Sequence, residues 1–537
     1  MSLSVLIKRI VLIRNYLMKR SFILLSIVAL AAQSAKAEIV PQTGAVNQNG
    51  QVPVVNINAP NSDGVSHNRY SQFDVGSQGA ILNNSVSGAH TTLAGDVAGN
   101  GNLGGRSATV ILNEINSANK SILNGMVEVA GQRADVVIAN KSGITCNGCG
   151  FINAGQGVLT TGELQFKNGV FDGYRVEQGN ILIDGQGMRK GDVDYTAILA
   201  RTEQINAAIH ANDLLVSAGK KTISSDLSKT KNVSFSLDKP AVLLDVAELG
   251  GMYAGKITLV ATENGVGVNG TGTLVPVSIA NQGKIQARGD VSVMADVLNN
   301  GGAMVAQEQL SVNGGTLNNR GRMEADKAAF TSVVFSNSGD IRSRSGNIAL
   351  AVNSFSNSGK LQAAGDLHLS ATQLNNVGLL RTEEGSMVLA TSSINNAGQI
   401  AAAKGMHISA IQLSNIGDVK TENGMMTVRT TSLNNTGKIR AGGALQIDSS
   451  NVLNIFNGVI EAQNELGIQG SSIDNYGRLA SLSSSVNLNS LRFNQRGEVA
   501  AFGDIRSHGL IFGNHGKMTS EAGTVTHNGK VIKNAVR

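Results

Sequence analysis

Residues 355–398 read FSNSGKLQAAGDLHLSATQLNNVGLLRTEEGSMVLATSSINNAG. One pentad occurs three times in this stretch: an apolar residue, any residue, Asn, any residue, Gly, at Phe355–Gly359, Leu374–Gly378 and Ile394–Gly398. Upstream it stands at Ile279–Gly283, Leu298–Gly302, Leu317–Gly321 and Phe335–Gly339, and downstream at Leu413–Gly417, Leu433–Gly437, Ile473–Gly477 and Phe512–Gly516. Leu453–Gly458 carries one extra residue, and Phe493–Gly497 has Gln495 in place of Asn. The thirteen marker glycines span 233 residues, a period of about 19.4.

Each glycine is followed by a short alternating run, such as Lys-Leu-Gln-Ala (360–363), then by a turn and a second run, such as Leu-His-Leu-Ser (367–370). Alternation with period two predicts strands with one buried face. A unit this short has no room for a helix besides its strands. One unit also buries too little to fold alone, so units must stack and share backbone hydrogen bonds and a core. The reading is an all-β chain, a right-handed parallel β-helix (β-solenoid). Glycine at the corner is expected to supply positive φ, and the recurring Asn to bond the turn backbone and stack as a ladder. Leucine-rich repeats share the period, but their Leu-x-x-Leu-x-Leu pattern is missing. Residues 38–278 are also rich in Gly and Asn with short alternating runs, without the strict period, and read as an irregular N-terminal β-helical cap domain. Exposed coil edges need such a cap. The expected division is 1–37 leader, 38–278 cap domain, 279–516 about thirteen repeats and 517–537 a C-terminal tail.

Composition agrees. Among 537 residues there are 64 Gly, 5 Pro and no Trp, and aromatics make up 4%. The formal charge of +6 comes from residues 1–37, which hold six basic residues and no acid, so the remainder is neutral. Nucleic acid as a partner therefore lacks electrostatic support. In that leader, basic residues precede the apolar run Phe22–Ala32, and Ala35-Lys36-Ala37 fits a signal-peptidase site. A start at Met18 instead of Met1 gives the more conventional signal. The mature chain is expected to be exported through Sec and the periplasm.

Four stretches resemble the secretion domain of two-partner-secreted exoproteins, the filamentous haemagglutinins, contact-dependent inhibition proteins and haemolysins. Gly64–Val75 (GVSHNRYSQFDV) is similar to that family's early SxNxFxxFNV run, and Ile111–Asn140 to its central block. Gly143–Gly162 continues that block, and Gly250–Gly270 is similar to the closing one. The resemblance implies a non-enzymatic adhesin, secreted or held at the cell surface, with no catalytic, cofactor-binding or metal-binding residues. Its implied partner is an outer-membrane β-barrel transporter with periplasmic recognition domains. The receptor on a host or neighbouring cell is not named by the sequence. The family's two Asn-Pro turns appear as Asn100-Gly-Asn-Leu103 and Asn140-Lys-Ser-Gly143-Ile144, without the prolines, so Asn100, Asn102, Leu103, Asn140, Gly143 and Ile144 are the implied transporter-recognition residues. Family members are usually far longer, so the chain also reads as a truncated form. Two alternatives stay open: the N-terminal part of a contact-dependent growth inhibition toxin or haemolysin, and a polysaccharide-acting β-helix enzyme.

Cys146 and Cys149 are the only cysteines. Asn147-Gly148 between them is a turn dipeptide, and some members of the family carry a pair here, so a structural disulfide is expected in an oxidising compartment. Arg288-Gly289-Asp290 is a candidate receptor tripeptide of the integrin-binding type, although Gly365-Asp366 at the equivalent place marks Gly-Asp as a turn requirement. The eight His residues show no metal-ligand spacing, and the acids do not cluster as a glycosidase needs.

Overall fold

The computed structural model describes residues 38–233, 240, 242–263 and 277–532. The leader 1–37, the last part of the Gly250–Gly270 block and residues 533–537 lie outside them. Among the described residues the only helix is one 3₁₀ turn, Gly101–Leu103, and nearly everything else is strand. The unit Ile39–Arg537 is a parallel β-solenoid of about 19 turns. Two long parallel sheets of 30 and 15 strands run along it.

A regular coil has a ten-residue strand that bends midway, such as Leu367–Asn376, then the Asn-x-Gly corner, then a four-residue strand, such as Leu379–Thr382. Register between coils is residue for residue: Leu374 pairs with Ile394, Asn376 with Asn396 and Leu380 with Ile400. Leu367, Leu374 and Leu380 point inward and are fully buried, because alternation aims every second side chain at the axis. Identical residues thus stack about every 4.8 Å, the strand spacing.

The ladder forms as expected. Asn376 Nδ2 donates to Asn396 Oδ1 at 2.8 Å, and Asn396 Nδ2 to Asn415 Oδ1 at 2.8 Å. The chain of amides runs without a break from Asn281 through Asn475 to Gln495, whose Oε1 takes the last bond at 2.8 Å. Each Nδ2 also approaches a corner carbonyl, as Asn396 does that of Gly398 at 3.2 Å. The Asn side chains are buried, so these bonds replace water for groups that would otherwise be costly to desolvate.

The role expected for the marker glycines is corrected. None of the thirteen adopts positive φ. A Cβ on Gly378 would stand 2.1 Å from the carbonyl oxygen of Gly359 one coil below, and Gly398 and Gly417 show the same contact at 2.2 and 2.0 Å. Stacked corners bring backbone onto backbone, and only glycine leaves room. The insertion at Leu453–Gly458 is absorbed by Asn457, which takes φ 68°.

A second device sets the coil length. Where the short strand ends in Ala, as at Ala363 or Ala402, three residues lead to the next buried strand residue, Leu367 or Met406. Where it ends in Ser or Thr, as at Ser343, Thr382, Thr421 and Ser481, four residues intervene. The buried hydroxyl holds the longer turn: Thr382 Oγ1 donates to Gly385 O at 2.7 Å and accepts from Ala403 N of the next coil at 3.1 Å. This accounts for the mixture of 19- and 20-residue repeats.

The N-terminal region continues the same core. The strands Val242–Val246, Gly251–Ala254 and Lys256–Ala261 pair in parallel with Val277–Asn281, Lys284–Ala287 and Val291–Asn300, so the sheets cross position 278 without a change of register. Its irregularity comes from additions. A four-stranded antiparallel sheet (Glu163–Lys167, Val170–Val176, Lys221–Ser224, Thr230–Asn232) covers the outer face of the coils. Leu164, Tyr174 and Ile223 of that sheet pack on Val137, Val158 and Leu199 in a second core. At the N-terminal end Val46–Asn49 and Val52–Asn56 pair antiparallel with each other, Val52–Asn56 joins Ala80–Asn84 in parallel, and Ile39–Pro41 lies antiparallel on Val65–Phe73. At the other end, residues 517–532 are not a loose tail. Lys517–Ser520 pairs with Glu498–Ala501 and Val525–His527 with Ile505–His508, and Lys530–Val531 folds back antiparallel on Val525–His527.

Candidate functional site

Both candidate recognition turns are built by a buried asparagine. Asn100 Oδ1 accepts from Asn102 N at 3.0 Å, while its Nδ2 donates to the carbonyls of Ile57 and Asn83 at 2.9 Å each. Asn140 repeats the arrangement: Oδ1 accepts from Ser142 N at 2.9 Å, and Nδ2 donates to Asn119 O at 2.9 Å and Ser121 Oγ at 3.0 Å. Each side chain closes its own turn and ties it to another segment, the mechanism expected of Asn at a turn. Asn102 differs. It is exposed, with one bond to Asn56 O at 3.3 Å, so Asn100 and not Asn102 organises the first turn. Leu103 and Ile144 are buried in the main core. Gly143 has φ 118°, and a Cβ there would meet Asn180 O at 2.9 Å. The two turns have separate partners.

Just after the second turn comes the disulfide Cys146–Cys149, with both residues in the core and no free cysteine among the described residues. Burial removes the exposure that a redox-active thiol needs. Farther along, Arg288 is exposed at its turn. Asp290 Oδ1 accepts from Gln309 N of the next coil at 3.1 Å, as Asp366 does from Ser386 N at 2.8 Å and Asp504 from Thr524 N at 2.7 Å. The Asp of the tripeptide therefore serves the coil turn.

Two ionic groups escaped the sequence reading. His67 Nε2 meets Glu114 Oε2 at 2.8 Å beside Arg69, and the histidine and arginine hold that carboxyl below its usual range. Deeper, Arg201 pairs with buried Glu263 at 3.2 Å, and Lys221 Nζ, fully buried, donates to the carbonyls of Ala218 and Thr262. Burial pushes the Lys221 ammonium down to about 8, against the pull of Glu203, Asp296 and Glu263. Glu203 is fully buried, and burial raises its pKa well above the usual value, against the opposing pull of Lys221 and of the Ala200 backbone. The available signal was alternation: in Thr202–Ile205 the inward positions are Glu203 and Ile205. No group of three or more His, Cys, Asp or Glu suited to a metal occurs among the described residues.

A parallel solenoid with buried Asn turns and a covering sheet on its N-terminal coils defines a class by its fold: a β-helical protein with an elaborated N-terminal domain. A family model described as the TPS secretion domain matches residues 32–293, and this part of the chain is the N-terminal domain of a two-partner-secretion exoprotein. The Toxin CdiA of Yersinia pestis is 44% identical over 285 residues, 51% of this chain and 9% of that protein. The tRNA nuclease CdiA of Escherichia coli O6:K15:H31 is 45% identical over 239 residues, 43% of this chain and 7% of that protein. The chain thus spans about a tenth or less of the length of these relatives. Among solved structures, the filamentous hemagglutinin secretion domain is 28% identical with a TM-score of 0.43, covering 59% of this chain and 98% of that one.

Proposed function

We propose that the chain is a secreted, surface-associated adhesive rod, moved through the periplasm after Sec export and across the outer membrane by a dedicated β-barrel partner. The observation that carries the reading is the pair of buried Asx turns, at Asn100 and Asn140, inside a domain of the TPS type. The transporter takes the N-terminal domain before it folds. Outside, each completed coil offers an open strand edge and a free ladder amide to the next, so folding pulls the chain outward. The body is non-enzymatic on this reading, and residues 38–278 form the secretion domain.

A second reading has its own support. The relatives reported above carry CdiA names, so the chain also fits the secretion domain and stalk of a contact-dependent inhibition toxin. Co-expression with the cognate barrel tests export. Residues 1–278 should reach the medium, and 279–537 behind a generic signal should stay in the periplasm. Retention of 1–278 would refute transporter cargo. Released protein that binds cells without arresting their growth supports the adhesin, and a longer reading frame that arrests neighbours lacking an immunity protein supports the toxin.

A further inference from the structure

A cavity of about 350 Å³ lies between the covering four-stranded sheet and the outer face of the N-terminal coils. Its floor is apolar, formed by Val65, Val110, Val137 and Val158 from four successive coil strands. Phe171 and Tyr174 of the covering sheet make one wall, edge to face with centroids 5.4 Å apart. Asp63, Asp135 and Asp226 also line it.

Three features single it out. Tyr174 is 2% exposed and lines the cavity, and its hydroxyl forms no side-chain hydrogen bond among the described residues. The phenol oxygen can therefore take a group that enters the cavity. Asp135 stands close enough to act electrostatically on that phenol, and only its Oδ1 is occupied, by Gln156 N at 2.8 Å. Among the described residues none of the three acids forms an ion pair. Arg133, the cation that acts on Asp135, is engaged by Asp192 and Asp194, and Lys229 exerts only the weakest influence on Asp226.

We propose that this cavity binds an organic cation, an ammonium or guanidinium head on an apolar stem. The head sits among the carboxylates with the Tyr174 hydroxyl accepting one N–H, and the stem lies on the valines against the face of Phe171. Neutral stems lose the charge pairing, and anions are repelled. The chemistry is shared by a lysine or arginine side chain of a partner polypeptide and by a free diamine. The site needs the folded coils and so acts after export, independently of how the chain is secreted.

The test is calorimetric titration of the released full chain with Nα-acetyl-lysine amide, Nα-acetyl-arginine amide, 1,5-diaminopentane and the neutral Nα-acetyl-norleucine amide. Saturable binding of a cation at least tenfold tighter than the neutral probe is expected. Asp135→Asn with Asp226→Asn should weaken it about tenfold, and Tyr174→Phe, which keeps the ring and the packing, several-fold. Tighter binding of the amino-acid amides assigns the site to a partner's basic side chain, and tighter binding of the diamine to a free amine. No saturable binding by any cation, or affinity unchanged in Tyr174→Phe and in the folded double variant, overturns the proposal.

Discussion

Replacing Asn396 by Ala should loosen the solenoid at one level and leave its ends intact. The side chain accepts from Asn376 Nδ2 and donates to Asn415 Oδ1, both at 2.8 Å and both buried. Removing it deletes two ladder bonds worth about 1 kcal/mol each, together with the longer contact to Gly398 O at 3.2 Å, and orphans the Asn415 oxygen, a further ~1–3 kcal/mol. Asn376 Nδ2 keeps its carbonyl contacts to Gly378 and Gln399 at 3.2 Å, so no full donor penalty is added there. The sum is about 3–5 kcal/mol. In a long array, loss is local, so the assay is hydrogen exchange resolved by peptide: segments around 376–415 should exchange at least a hundredfold faster, while those around 310 and 500 stay protected. Asn396→Asp sharpens the test. A buried carboxyl has its folded pKa raised, so its neutral form, able to donate to Asn415, is favoured at low pH and the destabilisation grows as pH rises above about 4. An exchange change under threefold in the Ala variant, or a pH-independent Asp variant, would refute the ladder as a source of stability.

Gly378→Ala should destabilise its coil by about 1–3 kcal/mol through backbone overlap, measured as a lower urea midpoint, whereas Gly101→Pro, where a Cβ meets nothing within 4 Å, should leave stability and release unchanged or raised. Glu203→Gln should raise the melting temperature at pH 7. Burial raises the folded pKa of Glu203, so its favourable state is the protonated one, and the stability it contributes is full below the unfolded value and lost as pH rises through the folded one; the gain from Gln should therefore vanish near pH 4. Exported protein should show no free thiol under denaturing conditions, and Cys146→Ser with Cys149→Ser should lower the melting point slightly without reducing release. Asn100→Ala and Asn140→Ala should cut release into the medium more than Asn102→Ala, by immunoblot, because only the first two hold buried turns.

The regular half was legible because its rule is local: a pentad every 19 or 20 residues places Asn above Asn, and the ladder follows. The use of the marker glycines was not, since the oxygen that excludes a Cβ at Gly378 belongs to Gly359 in another coil, and nothing within one repeat announces it. The covering sheet was hidden for another reason. Glu163–Lys167 and Val170–Val176 alternate like coil strands, and only their antiparallel pairing sets them apart. At the candidate turns, residue type revealed Asn100 and Asn140 as turn formers, but exposure, which separates Asn102 from them, depends on contacts with Ile57 and Asn83 far along the chain. The cation cavity left no trace in the sequence, because its floor and its wall come from strands that are remote in order.

Because every inner ladder amide gives one bond forward and takes one from behind, all eleven links point the same way. Any coil is therefore an interchangeable unit of length. Excising residues 379–398 would set Gly417 over Gly378 and Asn415 over Asn376, neighbours of the same residue type as each has now. Slippage between such repeats during copying shortens or lengthens the molecule in steps of one strand spacing, and each product inherits a closed ladder. The length of the solenoid can in this way be adjusted by recombination alone, with no new side chain to be invented at the joint.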